Sequence, residues 1–339
     1  MRVVLVRLSA LGDIVHTWPL AVALRRAQPE MHLTWVIEKP LLPLVDGHPA
    51  VDSVITVATK RWRRNIFSAE TRSHIAILKT QLTEIQPDVV IDAQGVFKSA
   101  LVAGLSGAET RVGLARPWRR ERLAGVAYTS AIRGDPDHRH VVATNLQLVA
   151  AVGSRPPPSL PHPDGSWLLA KVADRTPVVP ATPSFLALLP GTGRPEKIVP
   201  EADLIATARW SAAHDLPVVV LWGPGERDRA ASIADAAGPA VELAPPTDLL
   251  DLARCLADAR AVVGGDTGPV HLAASFGTPT LALFTATDWR RNGPLGARTE
   301  VVSGARLGNG GPTGSSRALK PGPVTADQII AGLQRLLRS

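Results

Sequence analysis

Short apolar runs alternate with amphipathic stretches along most of the chain. In the first half, Val3–Val6, His32–Ile37, Val54–Val57, Asp88–Asp92 and Arg111–Gly113 read as strands, being rich in β-branched and aliphatic residues. Between them, Val15, Trp18 and Val22 share one helical face, and Ile75–Ile85 and Lys98–Leu105 carry helical patterns. The second half repeats the rhythm. Phe185–Leu189, Val218–Trp222, Ala261–Val263 and Thr280–Phe284 read as strands. Ala202–His214, Glu226–Ala237, Leu249–Ala257, Pro269–Phe276 and Ala326–Leu337 read as helices. Pro269 suits a first helical position, where a missing N–H is harmless. Strands alternating with helices predict parallel βαβ units, which bind ligands beyond the carboxyl ends of their strands. Gly12-Asp13 and Gln94-Gly95 sit at such ends.

Proline divides the two halves. Residues 155–183 include Arg155-Pro-Pro-Pro158 and Pro177, Pro180 and Pro183, a composition that removes donors and stiffens the backbone. The expected layout is a doubly wound, Rossmann-like domain over residues 1–160 and a linker over 161–183, with a short helix near Trp167–Val172. A second Rossmann-like domain follows over 184–325, then a closing helix over 326–339. The two domains are expected to face each other across a cleft. Residues 303–323, rich in Gly, Pro and Ser, read as mobile, and no fixed-period repeat is visible.

At 339 residues with 45% hydrophobic and 20% charged side chains, the chain has the composition of a core-forming protein. One cysteine, Cys255, excludes an intramolecular disulfide framework and a cysteine-built zinc site. No stretch has the roughly 20 apolar residues that cross a bilayer. Arg7 and Asp13 interrupt the N-terminal apolar run, unlike a secretion signal, so a cytoplasmic location is expected. The net charge of +7 is uneven: residues 1–165 hold 20 basic and 14 acidic side chains, residues 166–339 hold 17 and 16. A basic first half implies an anionic partner, or only a solubilising surface.

Candidate chemistry lies in the strand-end loops. Val263-Gly-Gly-Asp-Thr-Gly-Pro-Val-His271 is a strand, a glycine-rich turn and a helix start, suited to phosphate, or else a plain βα-loop with an N-cap and a core histidine. Pro190-Gly-Thr-Gly-Arg-Pro-Glu-Lys197 offers two glycines, a hydroxyl and two cations, suited to a diphosphate, or else forms a solvated turn. Asp13 could act as a general base or cap the next helix. Lys60-Arg-Trp-Arg-Arg64, the group Arg116, Arg119, Arg120 and Arg122, and the group Arg133, His138, Arg139 and His140 could grip carboxylates and phosphates. With Trp62 and Trp118 they could also bind nucleic acid, although no recognition motif accompanies them. A nicotinamide-dependent oxidoreductase is disfavoured, because no Gly-x-Gly-x-x-Gly follows the first strand. Asp135-Pro-Asp-His-Arg-His140 reads as an Asx turn rather than a metal site, and Cys255 as a core residue.

Together these motifs resemble the bacterial ADP-heptose:lipopolysaccharide heptosyltransferases, glycosyltransferase family 9. The likeness rests on Met1 to Thr17, Lys60-Arg-Trp-Arg-Arg64, Val90-Ile-Asp-Ala-Gln-Gly-Val-Phe-Lys-Ser99 and Gly265-Asp-Thr-Gly-Pro-Val-His-Leu-Ala-Ala274, in the family's order and spacing over roughly residues 1–300. The basic run and Asp-Ala-Gln-Gly are more similar to heptosyltransferase I than to heptosyltransferase II. The resemblance implies a GT-B fold and inverting, metal-independent transfer of heptose from ADP-heptose to a Kdo residue of the lipopolysaccharide inner core, on Kdo-lipid A. It implies no cofactor, no nucleic-acid partner, and a peripheral location on the anionic inner face of the inner membrane.

Residue by residue, the resemblance makes Asp13 the general base and Lys197 the donor-loop lysine, with Thr192 and Gly193 beside it. Asp266, Thr267, Gly268 and His271 become donor contacts, and Glu226 the acid that holds the ribose. Lys60, Arg61, Arg63, Arg64 and Arg120 become acceptor cations. Two departures touch the donor side. Ile198-Val199 stand where the family usually has Trp soon after the lysine, and Thr285-Ala286 where it usually has a Gly-Pro pair. They leave open a related nucleotide sugar or acceptor.

Overall fold

The computed structural model describes all residues except 60–61, 63–67, 180–183, 308–319 and 339. The chain forms two compact units, Met1–Pro161 and His162–Ser339.

The first unit is built on a six-stranded sheet of β1 (Arg2–Val6), β2 (His32–Glu38), β3 (Ser53–Val57), β4 (Val89–Asp92), β5 (Thr110–Leu114) and β6 (Ser130–Ile132). Its helices are α1 (Leu11–Val15), α2 (Trp18–Ala27), α3 (Ala69–Ile85), α4 (Phe97–Leu105) and α5 (Val141–Leu146). The strand order is β3-β2-β1-β4-β5-β6, every pair parallel. In register, Val3–Val6 lie against Leu33–Val36 on one side and Val89–Asp92 on the other. Both faces of β1 are buried, as a central parallel strand requires. One face packs Val4, Val6 and Val90 against Leu78 and Leu82 of α3 and Val102 of α4.

The second unit repeats this plan. Its strands are β7 (Leu186–Leu189), β8 (Val218–Val220), β9 (Val241–Leu243), β10 (Ala261–Gly265), β11 (Thr280–Phe284) and β12 (Thr299–Ser303). Its helices are α6 (Ser166–Val172), α7 (Glu201–Ala212), α8 (Arg227–Ala237), α9 (Leu249–Asp258), α10 (Gly268–Ser275), α11 (Trp289–Asn292) and α12 (Ala326–Arg338). The parallel order β12-β11-β10-β7-β8-β9 is the first sheet's order read from the other edge. Leu186, Leu188, Val218, Val220 and Val263 form one inner face, covered by Leu204, Ile233 and Leu333.

Helix α6, inside the proline-rich segment, packs on α9 of the second unit. Arg175 just after it bonds Asp248 and Asp251 at 2.8 and 2.6 Å, and Arg254 donates to the Ala173 carbonyl at 2.6 Å. Helix α12 is tied in by Asp203, which accepts the Ala326 N–H at 2.8 Å. Of the segment expected to be mobile, residues 308–319 lie outside the described residues, while Arg306 and Lys320 at its flanks form an antiparallel bridge. Among the described residues, no helix is long and apolar enough to cross a membrane.

Each sheet reverses its winding once, between β1 and β4 and between β7 and β10. Doubly wound sheets bind ligands in the crevice outside such a switch point.

Candidate active site

At the second unit's switch point, the loop after β7 meets the turn after β10. Lys197 ends a short 3₁₀ turn, Pro195–Lys197, and reaches across to Asp266. Its ammonium lies 2.6 Å from Asp266 Oδ2 and 3.3 Å from the Asp266 carbonyl. Thr287 Oγ1 donates to the same carboxylate at 2.6 Å, and His271 Nε2 lies 3.8 Å from its other oxygen. The Asp266 side chain is 7% exposed. Burial alone would raise its pKa, but the His271 ring and the Lys197 ammonium outweigh it and hold the carboxyl well below its ordinary range. The carboxylate therefore stays ionised and orients Lys197. An ammonium has three N–H donors, and Asp266 engages two. The third can meet an anion.

Helix α10 begins at this point. Thr267 is its N-cap residue, but its hydroxyl bonds the Gly265 carbonyl at 3.3 Å instead of capping the first turn. The opening N–H groups, from Gly268 on, thus lack a side-chain cap, a setting that favours phosphate.

The donor-side loop is braced from both sides. Thr192 Oγ1 accepts from the Arg194 N–H at 3.1 Å and fixes a local turn, while Gly193 is exposed. Glu226 accepts the Gly223 N–H at 2.8 Å. Its carboxylate lies against Gly191, where a Cβ would come within 2.0 Å of it, so a larger residue there would push the Glu226 side chain aside. Arg229 donates to the carbonyls of Pro190 (3.3 Å) and Val199 (2.6 Å) and to Glu201 (2.9 Å). One guanidinium thereby holds both ends of the loop that carries Lys197. Thr285 Oγ1 adds a bond to the Glu196 carbonyl at 3.0 Å.

At the first unit's switch point, Asp13 lies in the first turn of α1. Its Oδ2 accepts the Ala10 N–H at 3.2 Å and its Oδ1 pairs with Arg7 at 2.8 Å. The carboxylate is 35% exposed, so it braces the helix start and still meets solvent. Arg7 is 5% exposed and also donates to the Ala93 carbonyl at the end of β4. Gln94 Oε1 accepts the Leu8 N–H at 2.8 Å, joining the same two strand ends. Lys98 in α4 reaches Ser9 Oγ at 3.1 Å and Glu38 at 3.6 Å. Beneath them Asp92, fully buried, accepts from the N–H groups of Gln94 (2.8 Å) and Gly95 (3.0 Å) and from the hydroxyls of Ser99 (2.8 Å) and Tyr128 (2.7 Å). Burial raises its pKa, and these donors only partly offset that.

The basic clusters divide. Lys60, Arg61, Arg63 and Arg64 lie outside the described residues. Arg116, Arg120 and Arg122 are exposed. Arg119 is occupied by the carbonyls of Leu114, Glu121 and Arg122, at 3.1–3.2 Å. His140 caps α5, its Nδ1 accepting the Val142 N–H at 3.2 Å. Trp62 is buried in the core, and Arg133 lies 5.8 Å from the Trp118 ring centroid. The Asp135 loop is an Asx turn: Oδ1 accepts the N–H groups of Asp137 (2.8 Å) and His138 (3.1 Å). Cys255 is buried, which pushes its thiol up to about 11.

The fold thus joins Lys197, Asp266 and His271, puts Thr267 and Gly268 beside them, and sets Glu226 against the same loop. It places Asp13 and Arg120 in the other unit. The sequence reading missed Arg7, Thr287 and Arg229. Arg7 had a visible signal, a charge that leads straight out of an apolar strand. Thr287 and Arg229 had none, because their partners are distant in sequence.

The chain is 37% identical over 308 residues to lipopolysaccharide heptosyltransferase 1 of Pseudomonas aeruginosa, covering 90% of this chain and 84% of that protein. It is 30% identical to the protein of the same name from Escherichia coli K12, covering 85% and 89%. The solved E. coli heptosyltransferase WaaC with ADP superposes with a TM-score of 0.81 at 28% identity, over 99% of this chain and 100% of that one. E. coli ADP-heptose heptosyltransferase II shares the fold, with a TM-score of 0.76 at 19% identity over 100% and 99%. The architecture is therefore that of a GT-B-like glycosyltransferase. Residues 75–312 match the family described as glycosyltransferase family 9 (heptosyltransferase), and the chain belongs to that family.

Proposed function

We propose that this enzyme moves a heptose from ADP-L-glycero-D-manno-heptose to a Kdo residue of Kdo-lipid A, in the lipopolysaccharide inner core. The observation that carries this reading is the Lys197–Asp266–His271 cluster at the opening of α10, built in a chain that resembles lipopolysaccharide heptosyltransferase 1 along most of its length. Solved relatives bound to ADP and to ADP-2-deoxy-2-fluoro heptose support ADP-heptose as the donor.

In this reading the second unit holds the donor. Lys197 and the first-turn N–H groups of α10 take the diphosphate, Glu226 the ribose, and Asp266, through Lys197 and His271, keeps the cluster in place. Thr192 and Gly193 shape the loop against the nucleotide. The first unit holds the acceptor. Asp13 removes the proton from the attacking hydroxyl. The new C–O bond forms at the anomeric carbon as its bond to the β-phosphate oxygen breaks, ADP leaves with that electron pair, and the configuration inverts. Arg120 and the cations at 60, 61, 63 and 64 meet the Kdo carboxylate and lipid A phosphates. The positive charge of Lys197 and α10 takes the place that a divalent ion holds in other nucleotide-sugar enzymes, so activity is expected to survive EDTA.

The enzyme works at the cytoplasmic face of the inner membrane, bound peripherally where its acceptor resides. Nucleic acid is not a partner in this reading, and Trp62, being in the core, offers no surface on which a base could stack. The test is a donor screen. Purified protein is given Kdo-lipid A with ADP-heptose, or with UDP- or GDP-sugars, and product mass is recorded. A heptose-sized gain only with ADP-heptose is expected. Gain with another donor, or none with any, overturns the assignment.

A further inference from the structure

On the first unit, two short elements leave large apolar side chains in water. Helix α4 exposes Phe97 (59%) and Leu101 (37%), one turn apart on a single face. The 3₁₀ turn Arg122–Ala127, which packs against α4, exposes Leu123 (67%) and Val126 (86%), again one turn apart. The local structure forces this outward display. Arg119 fills the inside of the turn: a Cβ on Gly125 would lie 2.4 Å from its guanidinium. Ala124 is fully buried, so Leu123 and Val126 have only the outside. Residues 115–127 hold four arginines and one acid. That acid, Glu121, accepts the Phe97 N–H at 2.8 Å and so caps α4. Arg116, Arg120 and Arg122 remain exposed around the apolar tips.

We infer that this α4–turn face docks on an anionic phospholipid bilayer, with Leu123, Val126 and Phe97 entering the headgroup boundary and the arginines meeting lipid phosphates. The inference rests on the functional reading above, which puts the acceptor in a membrane and Arg120 among the cations that hold it. Apolar tips interleaved with arginines are the chemistry of an interfacial anchor, whose affinity comes from buried apolar area plus attraction to anionic lipid. The face is also continuous with Arg120, so the surface that binds the membrane adjoins the one proposed for a membrane-embedded sugar.

The test uses the full chain and vesicles of phosphatidylethanolamine with phosphatidylglycerol, compared with phosphatidylcholine alone. The wild type should float with the anionic vesicles. Leu123→Asp and Val126→Asp should each lower the partition coefficient about tenfold, as expected for losing one inserted side chain. Both positions are exposed, and thermal melts matching the wild type verify folding. Transfer to a deacylated, water-soluble Kdo acceptor should be unchanged in both variants, while transfer to acceptor held in vesicles falls. Variants that float like the wild type overturn the inference. So does a concentration-dependent dimer that Leu123→Asp abolishes without any vesicle binding, which would make the face a contact between copies. Failure of the wild type on the soluble acceptor would instead strike the functional reading.

Discussion

The two units share one strand order and one switch point, yet their strand ends are furnished differently. In the second unit the cation at the switch point is already held: Lys197 is ion-paired to a buried carboxylate that Thr287 and His271 also approach. In the first unit the cation at the switch point is the buried Arg7, its acidic partner Asp13 is partly open to solvent, and the arginines at 116, 120 and 122 are exposed. One topology therefore supports a tightly paired cluster at one strand end and a more exposed, basic surface at the other. The teaching is that the sheet order fixes where a ligand binds, while the residues just past the strands decide what it is and how firmly the site is set beforehand. A preorganised cluster suits the leaving diphosphate, where charge develops during transfer. An open basic surface suits a large anionic acceptor.

The largest effect that would sharpen this contrast is kinetic. Asp13→Ala is expected to lower turnover by about 10²–10⁴-fold, the usual loss for a general base. Near-wild-type turnover would reduce Asp13 to the brace that its Ala10 and Arg7 bonds describe.

Next is Asp266→Asn, which leaves the part-buried Lys197 ammonium without its anion. Losing this charge-assisted contact is expected to destabilise the fold by about 1.5–3 kcal/mol, read from denaturant unfolding. The variant should also change the acid limb. Asp266 is held below its ordinary range when folded, so the unfolded chain binds its proton first as pH falls. Its contribution is complete above about pH 4 and is lost as pH drops through the folded value. The wild type should therefore lose stability more steeply below about pH 4 than Asp266→Asn.

Arg229→Ala removes one guanidinium from two carbonyls and Glu201 at the base of the donor loop. A loss of about 1.5–3 kcal/mol is expected, appearing as weaker ADP binding. Arg229→Lys should recover only part, since an ammonium cannot reproduce the fork. Binding equal to the wild type would mean the loop keeps its shape without this brace.

The smallest effect is Arg120→Ala, expected to raise the acceptor KM about tenfold with ADP affinity unchanged. A change in ADP affinity alone would mean that the functions of the two units are exchanged.

How much of this was legible beforehand follows from burial. Strands β1, β2, β4, β7, β10 and β11 lie inside their sheets and show as apolar runs. Strands β6, β9 and β12 escaped notice, and all three are edge strands. An edge strand needs little apolar sequence, and Ser130–Ile132 is mostly exposed. At the site, Lys197, Asp266 and His271 could be picked out because glycine-rich strand ends mark close approach to a ligand. Arg229 and Thr287 could not, because their contacts form only once α8 and the loop after β11 are in place. Arg119 and His140 looked like anion binders by charge, whereas the fold engages them in a carbonyl cluster and a helix cap.

The central claim is the division of labour between the units, and calorimetric titration of ADP into two variants tests it most directly. Lys197→Ala should weaken ADP binding at least about tenfold, the loss of one charge-assisted contact to phosphate. Asp13→Ala should bind ADP like the wild type while failing to turn over. If Asp13→Ala loses ADP and Lys197→Ala keeps it, the assignment of donor to the second unit and acceptor to the first is wrong.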